Sequence, residues 1–229
     1  MVAMTAQGSL LLSVVVTMVV LLLHSTASEA AQTPTGAHKN NDTEFIRRSC
    51  SSTLYPSLCY TSLSPYAGTI AQDPTRLALV ATNVSLARVR SASSHVSSLR
   101  RASVDRRVEN RTVNALKDCE ESLGDAADLT GHAAGELGSL ATAQGPEVAW
   151  LVNNAQTWMS AALTNEDTCV DGFAEVPPSA TASGEDLVAA PAPPGLPSLE
   201  EDVCGRVRQA KQYTSNALAL VNSLVGTNR

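Results

Sequence analysis

From residue 74 onward, apolar and small side chains recur in alternating steps of three and four, the period of an α-helix with one buried face. No stretch alternates every second residue as a half-buried strand does. Asp73-Pro74 pairs an N-cap residue with proline at the first helical position, which predicts a helix from about 74 to 102. A second helix is predicted from about 105 to 141, with its seam at 116, 119, 123, 126, 130, 133, 137 and 140. Gly145-Pro146 closes it and opens a third, whose seam is Val148, Val152, Ala155, Met159, Ala162 and Cys169. The Pro- and Ala-rich stretch 174–197 cannot continue a helix. Ser198 and Glu201 form a capping box for a fourth, with its seam at Val203, Val207, Ala210, Thr214, Ala217, Val221 and Leu224. Four amphipathic helices with mostly short links predict an all-α, up-down-up-down four-helix bundle.

The seams also pair two cysteines. Antiparallel helices joined by a tight turn bring together residues equally distant from it. Cys119 lies 25 residues before Gln144, at the turn, and Cys169 lies 25 after it. Both occupy seam positions, so a Cys119–Cys169 disulfide is expected, closing a long loop. Cys50 and Cys59 stand nine apart across Tyr55-Pro56, where a bend is favoured, and a local bridge is the natural pairing. Cys204 is then left as a free, partly buried thiol. It begins the last helix at the bundle end that holds Cys169, so a reshuffled pairing is the alternative.

The N-terminus reads differently. Leu10–Leu23 is almost unbroken in its apolar character, yet shorter than a membrane span, and small residues follow at Ser25, Ala27, Ser28 and Ala30. Residues 1–30 are read as a secretory signal peptide cleaved after Ala27 or Ala30, with an uncleaved signal anchor as the alternative. Residues 31–42 are polar and read as a disordered linker, leaving 43–229 as the bundle domain. Sequons at Asn41, Asn83 and Asn110 agree with secretion and glycosylation. So does a cysteine framework suited to an oxidising compartment.

Composition narrows the chemistry. The 229 residues are 44% hydrophobic but only 3% aromatic, with net charge −6, which suits helices packed through small side chains. Behind the signal, histidine supply is limited to His38, His95 and His132, none beside a nucleophile motif, and His95 and His132 are read as helix-surface residues. No Glu-x-x-His pair and no Cys/His cluster of zinc spacing occurs, so the chain is read as a non-enzyme without metal or cofactor. The seams leave little room for a carried apolar ligand. Seven arginines lie between Arg88 and Arg111 against Asp105 and Glu109. They suit either a solvated helix end and turn or a weak attraction to a polyanion by summed charge. Without interleaved aromatics, nucleic acid is not indicated.

The segment Cys50-Ser-Ser-Thr53-Leu-Tyr55-Pro56-Ser-Leu-Cys59 resembles the N-terminal signature of the plant invertase and pectin methylesterase inhibitor family. "ALKDCEESLGDA" (115–126), "WMSAALTNEDTCVDGF" (158–173) and "SNALALV" (215–221) resemble its three later blocks, in order. The likeness covers about Thr43 to Val225 and is closest to the pectin methylesterase inhibitors. It implies a four-helix bundle carrying an N-terminal helical hairpin, and the same disulfide order that the turn argument gives. It implies a protein secreted to the apoplast or cell wall that caps a pectin methylesterase, with acidic residues and a Thr and Asp flanking the fourth cysteine facing the enzyme. Those positions match Glu121, Asp125, Asp128, Thr168 and Asp171. With Asp118, the three acidic residues of the second helix form one stripe, which without the resemblance would read as a solvated face. In the cell wall, the polyanion that Arg88 to Arg111 would attract weakly is pectate. The family's invertase inhibitors carry Pro-Lys-Phe ahead of the third cysteine. Here "VENRTVNALKDC" (108–119) lacks it, which favours the esterase over invertase as target.

Overall fold

A computed structural model describes residues 34–108, 110–174 and 198–225. The expected signal peptide and most of the Pro- and Ala-rich loop lie outside these residues. Helix α1 spans Pro34–Cys50, α2 Pro56–Leu63 and α3 Ala67–Ile70, with a 3₁₀ turn at Ser64–Tyr66. Four long helices follow: α4 Pro74–Asp105, α5 Asn110–Ser139, α6 Pro146–Ala174 and α7 Leu199–Ser223. Asn41–Arg229 form one compact unit, in which each long helix packs against two of the others, α4 and α7 closing the ring.

Local chemistry sets the helix ends. Ala71 and Gln72 take left-handed φ values of 47° and 60°, reversing the chain after α3. Asp73 then caps α4, its carboxylate accepting from the N–H groups of Thr75 (2.8 Å) and Arg76 (3.1 Å). Gly145, at φ 56°, makes the turn that proline closes at the start of α6. The capping box is present as expected: Glu201 N–H donates to Ser198 Oγ, and Ser198 N–H to Glu201 Oε2.

Every seam residue expected on α7 is buried, as are those on α5 except Leu140, which is half-buried. Two boundaries differ. The helix expected from 105 starts at Asn110, because α4 runs on to Asp105 and the chain reverses through Arg107 at φ 55°. The stretch 31–42, expected to be a disordered linker, is helical from Pro34. Proline opens that helix, and its far end is anchored by Ile46 and Cys50, both buried in the core. An anchored helix extends into polar sequence that would not fold alone.

α1 and α2 form the N-terminal hairpin, joined by Cys50–Cys59. A second clasp holds it to the bundle. Buried Asn216 on α7 accepts from Tyr55 N–H (3.0 Å) and donates to Tyr55 C=O (2.9 Å). Both backbone groups of the bend are thereby satisfied by one side chain.

The core divides into two apolar clusters. One, centred on Leu77, Leu137, Met159 and Leu220, includes the hairpin; the other, around Val96, Leu123 and Val207, holds Cys119, Cys169 and Cys204. Near their border lies a polar chain that crosses three helices. Ser85 Oγ on α4 is 2.8 Å from Thr214 Oγ1 on α7, which donates to Glu166 Oε1 on α6 at 2.9 Å. Glu166 is 0% exposed. The third seam was expected to pass from Ala162 directly to Cys169; the four-step position between them, 166, holds this buried carboxyl.

Candidate functional site

Cys119 and Cys169 are bonded to each other, and Cys204 is a buried free thiol. The α5–α6 disulfide floors a shallow groove lined by Arg111, Asn114, Asp118, Ser122, Thr168 and Gly172. Asp118 and Ser122 are one turn apart on α5, and Ser122 Oγ donates to the Asp118 carbonyl at 2.9 Å. Across the groove, Thr168 donates to Thr164 C=O, which leaves its oxygen lone pairs and methyl group exposed.

All five residues proposed from the sequence are exposed: Glu121, Asp125, Asp128, Thr168 and Asp171. They do not share one spot. At about 100° per residue, Asp125 falls roughly 20° from Asp118, two turns along the same groove-side face. Glu121 and Asp128 lie some 60–80° further round α5, and Asp171 about 60° from Thr168 on α6. Asp118 and Thr168 line the groove, while Glu121, Asp125, Asp128 and Asp171 lie outside its lining. Glu121 is paired with Lys117 at 3.4 Å, an exposed i,i+4 contact of small energetic weight.

Sequence reasoning placed Asp118 in the acidic stripe but did not single out Arg111, Asn114 and Ser122, which line the groove with it. A signal was present. Positions 111, 114, 118 and 122 repeat at helical spacing just beside the Cys119 seam, and a polar row there must border the neighbouring helix.

The surroundings fix this end of the bundle. Arg100 on α4 donates to Glu120 on α5 at 2.5 Å. Burial disfavours ionisation of Glu120, but bonds from Ser97 and Arg100 and the charges of Arg100 and Arg101 outweigh it and hold the carboxyl below its ordinary range. Asp202 on α7 is lowered in the same way, partial burial being outweighed by His95 and Arg206. His95, expected on the surface, is half-buried, with Nε2 2.5 Å from Asp202. The apolar seam of α4 gives no hint of this, since the partner lies 107 residues away. His132 is exposed, its ring 5.5 Å from that of Trp158. Burial raises the Cys204 thiol above its ordinary range, so it is a packing residue in its ground state rather than a thiolate. Among the described residues, no group of three His, Cys, Asp or Glu side chains could hold a metal ion, and no helix is long and apolar enough to cross a membrane. The sequon residues Asn41, Asn83 and Asn110 are all exposed.

The groove thus presents acidic and hydroxyl groups over the Cys119–Cys169 disulfide. The sequence profile of the plant invertase/pectin methylesterase inhibitors matches residues 44–220. The chain belongs to that family. It is 35% identical over 184 residues to pectinesterase inhibitor 10 of Arabidopsis thaliana, covering 80% of this chain and 52% of that longer protein. It is also 35% identical over 186 residues to a 21 kDa protein of Daucus carota, covering 81% and 86% respectively. Among solved structures, mutant form A of a pectin methylesterase inhibitor from Arabidopsis superposes with a TM-score of 0.53, covering 76% of this chain and 92% of that one at 20% identity. That likeness shows the four-helix fold.

Proposed function

We infer that this family member is a protein inhibitor of pectin methylesterase and not itself an enzyme. It slows the removal of methyl esters from pectin by covering the esterase's active-site cleft in a reversible 1:1 complex. The observation that carries the reading is family membership, with relatives named as pectinesterase inhibitors at about 35% identity over most of the chain. The absence of Pro-Lys-Phe before Cys119 supports the esterase over invertase as target. Because the target's substrate is a wall polymer, the inhibitor belongs in the apoplast, delivered by the signal at 1–30 and carrying glycans at Asn41, Asn83 and Asn110.

The docking face we propose is the α5–α6 groove with the exposed residues around it: Glu121, Asp125, Asp128, Thr168 and Asp171, joined by Asp118. Charges at such a face raise on-rate and specificity more than raw affinity. The full chain should inhibit purified pectin methylesterase and leave acid invertase untouched in a paired assay; stronger inhibition of invertase would reverse the reading. Within the face, Asp125→Asn with Asp128→Asn is expected to weaken inhibition by about 1–3 kcal/mol, five- to a hundredfold. Stability should change by less than about 0.5 kcal/mol, since both side chains are exposed. Glu147→Gln with Glu200→Gln, exposed and distant in sequence, is the control. Equal inhibition by a fully helical Asp125/Asp128 variant would reduce the stripe to a solvated face.

A further inference from the structure

The structure divides the work of the seven arginines between 88 and 111. Arg88 lies over the Tyr213 ring, 4.9 Å from its centroid. Arg100 is held by Glu120, and Arg111 lines the groove. The other four, Arg90, Arg101, Arg106 and Arg107, are exposed and have no carboxylate within ion-pair distance among the described residues. Arg101 stands eleven positions after Arg90, which places them about 20° apart on one face of α4 and roughly 16 Å apart along its axis. Between them the exposed side chains are Ser91, Ser94 and Ser98, too short to cover a guanidinium and able to bond to sugar hydroxyls. Arg101 uses one of its five donors on Ser97 Oγ, at 2.7 Å.

Arg106 and Arg107 lie in the turn that ends α4, Arg106 about 140° round the helix from Arg101, with the exposed carboxylate of Asp105 beside them. Arg107 sits at φ 55°, a conformation that glycine adopts freely and other residues adopt at some cost. The turn keeps a cation where the backbone favours no side chain.

We propose that the outer face of α4 and the turn after it bind a polyuronate, a polysaccharide bearing one carboxylate per sugar. The ligand's identity rests on the esterase reading, since hydrolysis of pectin's methyl esters leaves such carboxylates in rows. Arginine's planar fork of donors matches a carboxylate, and exposed guanidinium groups along α4 and at the turn after it suit a polyanion long enough to reach both. A membrane surface is disfavoured, because the exposed side chains between Arg90 and Arg101 are serines and Val104 is the one large apolar side chain exposed on α4. The consequence is feedback by location. Each stretch the esterase has stripped of methyl groups gathers inhibitor beside the enzyme that made it, while the α5–α6 groove stays open to the enzyme.

The test compares retention of the full chain on immobilised polygalacturonate of low and of high methyl-ester content. The low-ester gel is expected to hold the protein at least about tenfold more strongly, with release by salt. The variant Arg90→Gln, Arg101→Gln, Arg106→Gln, Arg107→Gly should lose that difference, and Arg106→Gln with Arg107→Gly alone should lose part of it. Glycine at 107 suits the backbone there, so the second variant is expected to fold as the parent does. Complex formation with pectin methylesterase, measured without pectin, should be unchanged in both, since none of the four lines the groove. If the parent chain holds to low-ester gel but never binds the esterase, the esterase reading fails and this surface stands. Equal retention on the two gels, or full retention of the four-site variant, would overturn the proposal.

Discussion

The bundle is expected to lose stability steadily as pH rises from about 5 to about 8, and Glu166→Gln is expected to remove most of that slope. Glu166 is fully enclosed, and one of its oxygens, Oε2, has no hydrogen-bond partner among the described residues. Burial first, and the neighbouring charge of Asp167 second, push its carboxyl from the ordinary 4.5 up to about 8, against the opposing bond from Thr214 and the charge of Lys211. The folded chain therefore keeps a proton that the unfolded chain releases near 4.5. Its contribution is fully present below that value and is lost as pH climbs through about 8. Between the two, stability falls by about 1.4 kcal/mol per pH unit. Glu120 and Asp202 act the other way, since their folded carboxyls are lowered. Their contributions are lost only as pH falls into the acid range, below the window of Glu166.

Urea midpoints for parent and variant at pH 5, 6.5 and 8 check this. The slope is the decisive quantity, because the glutamine amide adds its own constant cost for an unsatisfied donor. Parallel pH profiles would show that Glu166 does not hold its proton in the fold. Function enters because Glu166 lies on α6 just before Thr168 and Asp171. Mildly acid conditions keep it neutral, and alkaline conditions ionise it beneath the face proposed to dock the esterase.

Glu166 also marks the limit of what periodicity can reveal. The seams on α5 and α7 were legible because nearly every seam position is apolar or small, and burial followed hydrophobicity. On α6 the sequence Thr164-Asn165-Glu166-Asp167-Thr168 reads as polar on every face. Which of the five is buried depends on Thr214 and Ser85 in other helices. The His95–Asp202 pair and the Asn216 clasp on Tyr55 share this character, each joining residues more than 100 positions apart. The disulfides were legible for the opposite reason. Cys119 and Cys169 lie at equal distances from one tight turn, so helix geometry alone brings them level. Helical spacing put the four acidic residues of α5 on one strip, but which of them borders the neighbouring helix was not legible: of the four, Asp118 alone lines the groove.

Replacing both members of that level pair, Cys119→Ala with Cys169→Ala, is expected to cost about 3–4 kcal/mol, while the chain remains helical at room temperature. The bridge spans 50 residues, and its removal returns the closure entropy of that loop to the unfolded state. Cys50→Ala with Cys59→Ala opens a span of only nine and should cost roughly 1–2 kcal/mol less. The hairpin would still be held by Asn216 on Tyr55 and by Ile46 in the core. Without Cys119 and Cys169, Cys204 is the only cysteine left in its cluster, and without Cys50 and Cys59 the hairpin cluster holds none, so no exchanged disulfide can mask either loss. Inhibition should separate the two variants further. The Cys119–Cys169 bridge floors the groove between Asp118 and Thr168, so its loss lets α5 and α6 part where the esterase is proposed to dock. Inhibition is expected to weaken even at temperatures where that variant is fully folded, whereas the hairpin variant should inhibit normally there. Urea unfolding and esterase inhibition, measured side by side, decide the matter. A larger stability loss from the Cys50–Cys59 pair would show that loop closure is not what the long bridge contributes, and unchanged inhibition without Cys119–Cys169 would move the docking face away from the groove.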